Sequence, residues 1–263
     1  MTILLRLAYD GTDFHGYAAQ PATAAGEPVR TVQGELERAL AVVCGQPVAT
    51  RGASRTDAGV HAEGQLAAFE RVTPIPCSNL VLALGRALAD DVSVRAAWEE
   101  VGTDGGPVDP RHGNAGKHYR YRLFLGRIRD PRIVRFVWPV PQVPDVGRMR
   151  DAATHLVGTH DFAGFRSTMC QAPTTVRTIH AVDVREHASD RGDAMIDIDV
   201  RGTAFLHNMV RIIVGTLVEI GLQRGDRGRI DDVLATRDRT KAGRTAPASG
   251  LTLVEVVWPT APR

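Results

Sequence analysis

Apolar positions along the first hundred residues recur with two alternating periods. Ile3, Leu5, Leu7 and Tyr9 fall on one face of the segment Ile3 to Tyr9, the two-residue period of a half-buried strand. A Gly-rich turn, Asp10 to Tyr17, follows. From Thr31, a good N-cap, Val32, Leu36, Ala39, Leu40 and Val43 recur at helical spacing until Gly45 ends the run. Pro47 to Thr50 is short and apolar and Gln65 to Glu70 alternates, which predicts two neighbouring strands joined by a long loop. Ser78 is placed to cap a second helix with Leu80, Val81, Leu84 and Leu88 turned inward, and Val92 to Val101 reads as another strand. The order is β-α-β-β-α-β.

Gly102 to Pro110 holds turn formers without apolar periodicity and marks a boundary, giving an N-terminal domain 1–104 and a C-terminal domain 111–263. Beyond it the pattern returns. Tyr119 to Leu125 alternates as a strand, Met149 to Leu156 reads as a helix, and Val176 to Val184 and Ala194 to Val200 as two strands. A long apolar helix from Leu206 to Leu222, a short one from Ile230 to Thr236 and a last strand from Leu251 to Trp258 complete the chain. The expected fold class is α+β: two related β-α-β-β-α-β (ferredoxin-like) units with mixed or antiparallel sheets meeting at a central active-site cleft. The repeat is one of topology, without convincing sequence identity between the halves.

At 263 residues, 43% hydrophobic and 24% charged, the chain has the composition of a soluble globular protein with a full core. No apolar run approaches the length that spans a bilayer and no leader pattern opens the chain, so a cytoplasmic protein without a membrane partner is expected. Cys44, Cys77 and Cys170 are odd in number and far apart, which argues against a disulfide framework and a zinc site. The net charge of +2 conceals an asymmetry: ten basic residues stand between Arg111 and Arg150 against Asp130 and Asp145. Tyr119, Tyr121, Phe124, Phe136 and Trp138 are interleaved with them, as on a surface that binds phosphates and stacks bases. Because the charge is segregated, nucleic acid is the expected partner.

The densest chemistry lies in Gly52-Ala53-Ser54-Arg55-Thr56-Asp57-Ala58-Gly59-Val60-His61-Ala62. This stretch reads either as an active-site loop or as a plain turn in which Gly59 supplies a positive φ. A carboxylate kept from water needs a cation or hydrogen bonds. Arg55 is two residues from Asp57, and a more distant arginine serves equally. The distant candidate is Arg211, the one basic residue in the apolar Leu206 to Leu222 run, unless it snorkels to the rim of its helix. A metal site of Asp57, His61 and Glu63 lacks a further cluster of ligands nearby in the chain, and no Gly-rich phosphate loop or dinucleotide motif occurs. His160-Asp161-Phe162 is better explained by Phe162 and Phe165 packing a loop than by an acid–base pair. What remains suits metal-free, cofactor-free covalent or acid–base chemistry on a nucleic acid. The rival classes are a non-catalytic RNA-binding protein and a metal-dependent hydrolase using Asp57 and His61.

Arg55-Thr56-Asp57-Ala58-Gly59-Val60-His61-Ala62 resembles the signature loop of the tRNA pseudouridine synthase A family. The resemblance continues through Tyr9-Asp10-Gly11-Thr12-Asp13-Phe14-His15-Gly16, Arg30-Thr31-Val32-Gln33-Gly34, Tyr119-Arg120-Tyr121, Gly158 to Phe162, Val176-Arg177-Thr178-Ile179, Phe205 to Arg211 and Ala246-Pro247-Ala248, and so spans nearly the whole chain. It implies that Asp57 is the catalytic aspartate, that Arg211 forms its ion pair and that Tyr119 lies against the target base. It further implies a homodimer acting without metal or cofactor on uridines 38, 39 and 40 of the tRNA anticodon stem-loop. Arg55, in the same loop, is the second candidate for substrate binding. Where the family commonly has Trp-Gln after His-Gly, this chain has Tyr17-Ala18, followed by an Ala/Pro/Gly-rich stretch to Pro28 that reads as a loop extension.

Overall fold

Strand β1 (Thr2–Tyr9) opens the chain in the computed structural model, which describes residues 1–22, 26–102, 105–126, 130–189 and 192–260. Its alternation suggested one buried face, yet Ile3, Leu4, Leu5 and Leu7 are all inaccessible. The face assigned to solvent is covered as well: Leu4 packs with Ala68 and Val108 beneath Trp98 and Trp258, and Arg6 lies over the Trp98 ring. Helix α1 (Val32–Cys44) matches its sequence signals closely. The Thr31 hydroxyl accepts from the Gly34 amide, and Gly45 ends the helix at φ 71°. Helix α2 (Cys77–Ala87) begins one residue before Ser78, with Pro76 as an N-cap that makes no side-chain bond, and it buries Leu80 and Leu84.

The strand expected at Pro47 to Thr50 is displaced to β2 (Arg51–Gly52), which pairs with β3 (His61–Glu70). The reason is local. The Thr50 amide and hydroxyl both go to Glu37 Oε1, at 2.8 and 3.0 Å, and are unavailable to a ladder. β1 lies between β3 and β4 (Val92–Glu100), antiparallel to each. These elements form one compact unit, Met1–Ala115 with Leu253–Arg263. Most of the last strand, β10 (Leu251–Val257), therefore belongs with the first unit, where the sequence pattern placed it in the second. Gly64 of β3 admits it closely: a Cβ there would lie 2.5 Å from the Val254 carbonyl oxygen.

The second unit, Gly116–Thr252, carries the strand order β5-β9-β8-β7, antiparallel throughout: β5 (Gly116–Phe124), β9 (Ala194–Gly202), β8 (Val176–Ala188) and β7 (Gly158–Asp161). The two-residue β6 (Trp138–Pro139) runs parallel to β5. Helix α3 (Val146–Thr154) is capped by Asp145, and α4 (Met209–Gly221) is buried on nearly every side. The segment 242–246 crosses α4 at backbone contact: a Cβ on Gly215 would sit 1.8 Å from the Arg244 carbonyl oxygen. The Thr216 hydroxyl bridges the crossing, donating to the Ile212 carbonyl and accepting from the Gly243 amide. Helix α5 (Gly228–Thr236) completes the α+β architecture of five α-helices among the described residues.

α4 starts at Met209, three residues inside the apolar run, because Asn208 stands in the left-handed region at φ 61° and breaks the helical path before it. His160 and Asp161 do not form an acid–base pair. His160 Nε2 meets the Val157 carbonyl and Asp161 meets Arg237, while Phe162 and Phe165 are buried as expected. No helix among the described residues is long and apolar enough to cross a membrane.

Candidate active site

The loop between β2 and β3 is both a turn and a built structure. Gly59 adopts φ 77° and the Val60 amide donates to the Asp57 carbonyl at 3.1 Å, which is the plain turn foreseen. Its base is clamped from β3 by Gln65, wholly buried: Oε1 accepts from the Ser54 and Leu66 amides, and Nε2 donates to the Ser54 carbonyl at 2.6 Å. Ser54 and Thr56 are buried, Asp57 is half-buried, and Arg55 is exposed. The carboxylate thus sits at the rim of a fixed loop with an arginine beside it in sequence.

The Gly-rich turn after β1 packs directly beneath this loop. A Cβ on Gly11 would lie 2.0 Å from the Val60 carbonyl oxygen, and one on Gly16, at φ 99°, would lie 3.0 Å from that of Thr56. Glycine is needed at both positions for the two backbones to meet. The Gly11 amide donates to His61 Nδ1 at 3.1 Å and the Tyr17 amide to the Thr56 carbonyl at 3.1 Å, while the Tyr9 hydroxyl meets Thr56 Oγ1 at 2.8 Å. His61 is therefore a buried strut between two loops, which removes it from the hydrolase reading. Among the described residues no group of three or more His, Cys, Asp or Glu is placed to hold a metal ion. Arg30 steadies the same turn, with both Nη atoms on the Asp91 carboxylate and its guanidinium 4.1 Å over Phe14. The segments 9–17, 30–34 and 52–62 are brought together around Asp57.

Tyr17, in the place where tryptophan is common, is 2% exposed, and its hydroxyl has no hydrogen-bond partner. Gly52 makes room for it, since a Cβ there would stand 2.1 Å from the ring. Burial, then the nearness of Tyr9 and Glu37, pushes the phenol well above its ordinary range.

In the second unit, Arg211 is in the first turn of α4, half-buried, and does not snorkel to solvent. Its Nε donates to the Ala246 carbonyl at 2.8 Å and its Nη1 to Asn208 Oδ1 at 2.7 Å, and the Ala246 amide returns a bond to the Arg211 carbonyl. Tyr119 on β5 is buried, with Phe205 edge-on at 5.2 Å. Asp57 and Arg55 belong to the first unit, Tyr119 and Arg211 to the second. The hydrogen-bonding roles of Tyr9, Thr56, Gln65 and Asn208 were not assigned from the sequence, although Tyr9, Thr56 and Asn208 stand inside the motifs that carry the resemblance and Gln65 is a polar residue inside an apolar strand.

Among the described residues, the aromatic and basic residues of β5 face opposite ways. Tyr119, Tyr121 and Leu123 face the core from β5, while His118, Arg120 and Arg122 point to the opposite face. Tyr121, Phe124 and Trp138 are buried, so of the expected stacking aromatics only Phe136 is exposed. Arg120 and Arg122 meet Asp199 and Asp197 of β9, joined there by Arg185 and His187 of β8. Asp199 is fully buried. Burial opposes its charge, but bonds from His118, Arg120 and Arg185 outweigh that and hold the carboxyl far below the usual range. Arg132 is taken up by Asp130, and Arg148 and Arg150 by backbone carbonyls of Ile220 and Val184. Arg127 and Arg129 lie outside the described residues.

The model of the family described as tRNA pseudouridine synthase matches residues 152–259. A protein of Acetivibrio thermocellus described as tRNA pseudouridine synthase A is 39% identical over 256 residues, 97% of this chain and 99% of that protein. Proteins of the same description from Syntrophotalea carbinolica and Myxococcus xanthus are 40% and 42% identical, again over 97% of this chain, and are themselves covered to 96% and 91%. The chain belongs to the tRNA pseudouridine synthase A family. The Asp57 loop and the turn beneath it lie outside the segment matched by the family model, yet within the span these relatives share. A solved structure titled "Crystal Structure of a Cbf5-Nop10-Gar1 Complex" superposes with a TM-score of 0.32 at 12% identity, over 84% of this chain and 45% of that one, too remote to carry an argument.

Proposed function

We propose that this protein isomerises uridine to pseudouridine in tRNA, at positions 38, 39 and 40 of the anticodon stem-loop, with Asp57 as the catalytic carboxylate. The observation that carries the reading is the near full-length relation to tRNA pseudouridine synthase A proteins, joined to a fixed loop that presents a half-buried carboxylate. The reaction breaks the C1′–N1 bond, turns the uracil and forms a C1′–C5 bond; the C5 proton leaves to a base and N1 takes up a proton. A carboxylate held at a set position can act at the sugar or the base and carry the substrate through the turn. A stem nucleotide must leave its stack to be reached, so the uridine is flipped and Tyr119 lies against it. Arg211 supplies the cation that pairs with Asp57, and exposed Arg55 meets the RNA backbone.

The enzyme so read is a cytoplasmic homodimer that needs neither metal nor cofactor. The antiparallel neighbours β4-β1-β3, with β2 on β3, support the ferredoxin-like reading for the first unit. Incubating unmodified tRNA with the protein in EDTA, followed by site-resolved chemical detection of pseudouridine, tests the function. Modification at 38–40 is expected. RNA binding without conversion, or conversion abolished by the chelator, would replace this reading with one of its rivals.

A further inference from the structure

We propose that Tyr9 is a positioning residue for the reaction, acting through Thr56 to aim the Asp57 carboxylate; this rests on the reading of Asp57 as catalytic. Thr56 is gripped at two points. Its Oγ1 meets the Tyr9 hydroxyl at 2.8 Å and its carbonyl accepts from the Tyr17 amide at 3.1 Å. The next carbonyl, that of Asp57, is fixed by the Val60 amide. Two fixed carbonyls in succession set the peptide planes on either side of the Asp57 Cα, so the carboxylate retains only its side-chain torsions. The β-branched Thr56 has few χ1 choices, and the Tyr9 bond selects one of them.

Tyr9 is well placed to act as the fixed end. It is 5% exposed, at the end of the most deeply buried strand of its unit, and paired with Ala62 on one side and Val92 on the other. The ladder to β3 shifts register between Leu7 and Tyr9, and that to β4 between Arg6 and Leu7. Bulges of this kind re-aim the side chains that follow them. Here the side chain so placed reaches the residue before Asp57, 47 positions away in the chain. The bond joins the catalytic loop to the core rather than to another loop.

The test measures single-turnover conversion of unmodified tRNA, tRNA affinity and Tm for Tyr9→Phe, Thr56→Val, the two combined, and Thr56→Ser, beside Asp57→Asn. Tyr9→Phe and Thr56→Val are each expected to lose about tenfold to 100-fold in rate, the scale of a misplaced catalytic group, with tRNA affinity unchanged. Thr56→Ser keeps the hydroxyl and should stay close to the parent. The double variant should be no slower than the slower single one. Its Tm should recover, because neither hydroxyl is left buried beside a lost partner. A rate that recovers together with Tm overturns the inference, since the bond would then serve the fold alone. So does a parental rate in Tyr9→Phe while Asp57→Asn is inactive. An active Asp57→Asn instead overturns the catalytic reading beneath it.

Discussion

Asn208 offers the most informative perturbation of the second unit, because two roles of one residue can be separated. It holds a left-handed backbone at φ 61° before α4, and its Oδ1 accepts from Arg211 Nη1 at 2.7 Å. Asn208→Gly keeps the backbone conformation at an entropic cost below about 1 kcal/mol and removes the acceptor. Asn208→Ala removes the same acceptor but keeps the Cβ clash of the left-handed region, about 1–2 kcal/mol, that glycine relieves. Set against glycine's entropic cost, the clash leaves a net difference of about 1 kcal/mol, so at about 2–4 °C per kcal/mol for a chain of this size the alanine variant should melt roughly 2–4 °C below the glycine variant. Activity should sort differently. Both variants cut a side-chain tie on Arg211, a charge-assisted bond worth about 1.5–3 kcal/mol, so their rates of tRNA conversion should fall together. Asn208→Asp retains an acceptor and should hold more of the rate. Thermal melts and single-turnover assays on the three proteins decide it. If Asn208→Gly converts tRNA at the parental rate, Arg211 does not depend on its tie to Asn208 and the argument fails.

Three further outcomes follow from buried or hydrogen-bonded groups. Tyr17→Phe should melt at or above the parental Tm, by about 1–3 kcal/mol, since it deletes an unpartnered buried hydroxyl; a clear loss of stability would mean that the hydroxyl is satisfied. Asp199→Ala should destabilise by about 1.5–3 kcal/mol, because His118, Arg120 and Arg185 lose the one carboxylate they share; a change under about 1 kcal/mol in denaturant titration would refute the network's role. Glu100 is a pH probe: burial works against its charge, and bonds from Thr260, Trp258 and Trp98 outweigh this and hold its carboxyl below the ordinary range. Its folded value is depressed, so its stabilising effect is complete above the ordinary carboxylate range and is lost as pH falls through the depressed value. The Tm advantage over Glu100→Gln should therefore shrink in acid, and a difference independent of pH would contradict the assignment.

Elements were legible where their determinants are local. α1 carries its own start and stop in Thr31 and Gly45, and both operate as read. α4 was misjudged by three residues because hydrophobicity is blind to the sign of φ at Asn208. β6 and β7, two and four residues long, give too little sequence for a period to emerge. The second buried face of β1 depends on Val108 and Trp258, which arrive from far along the chain. The candidate site divides in the same way. Asp57, Arg55 and Gly59 are visible as one loop, whereas the Tyr9–Thr56 bond and the Gln65 clamp arise only when separate segments meet. The basic segment shows the converse: aromatic and basic residues interleaved in sequence are parted by the alternation of β5, and Arg120 and Arg122 are drawn into pairs with Asp199 and Asp197.

If Asp57 carries the isomerisation, Asp57→Asn removes it. Purified parent and variant are given unmodified tRNA in EDTA, and pseudouridine at positions 38–40 is quantified alongside tRNA affinity. No detectable conversion by the variant is expected, with affinity intact or slightly raised, because removing a negative charge near phosphates cannot weaken their electrostatic attraction. Conversion within about tenfold of the parent, a barrier change of only ~1.4 kcal/mol, would contradict that role for Asp57.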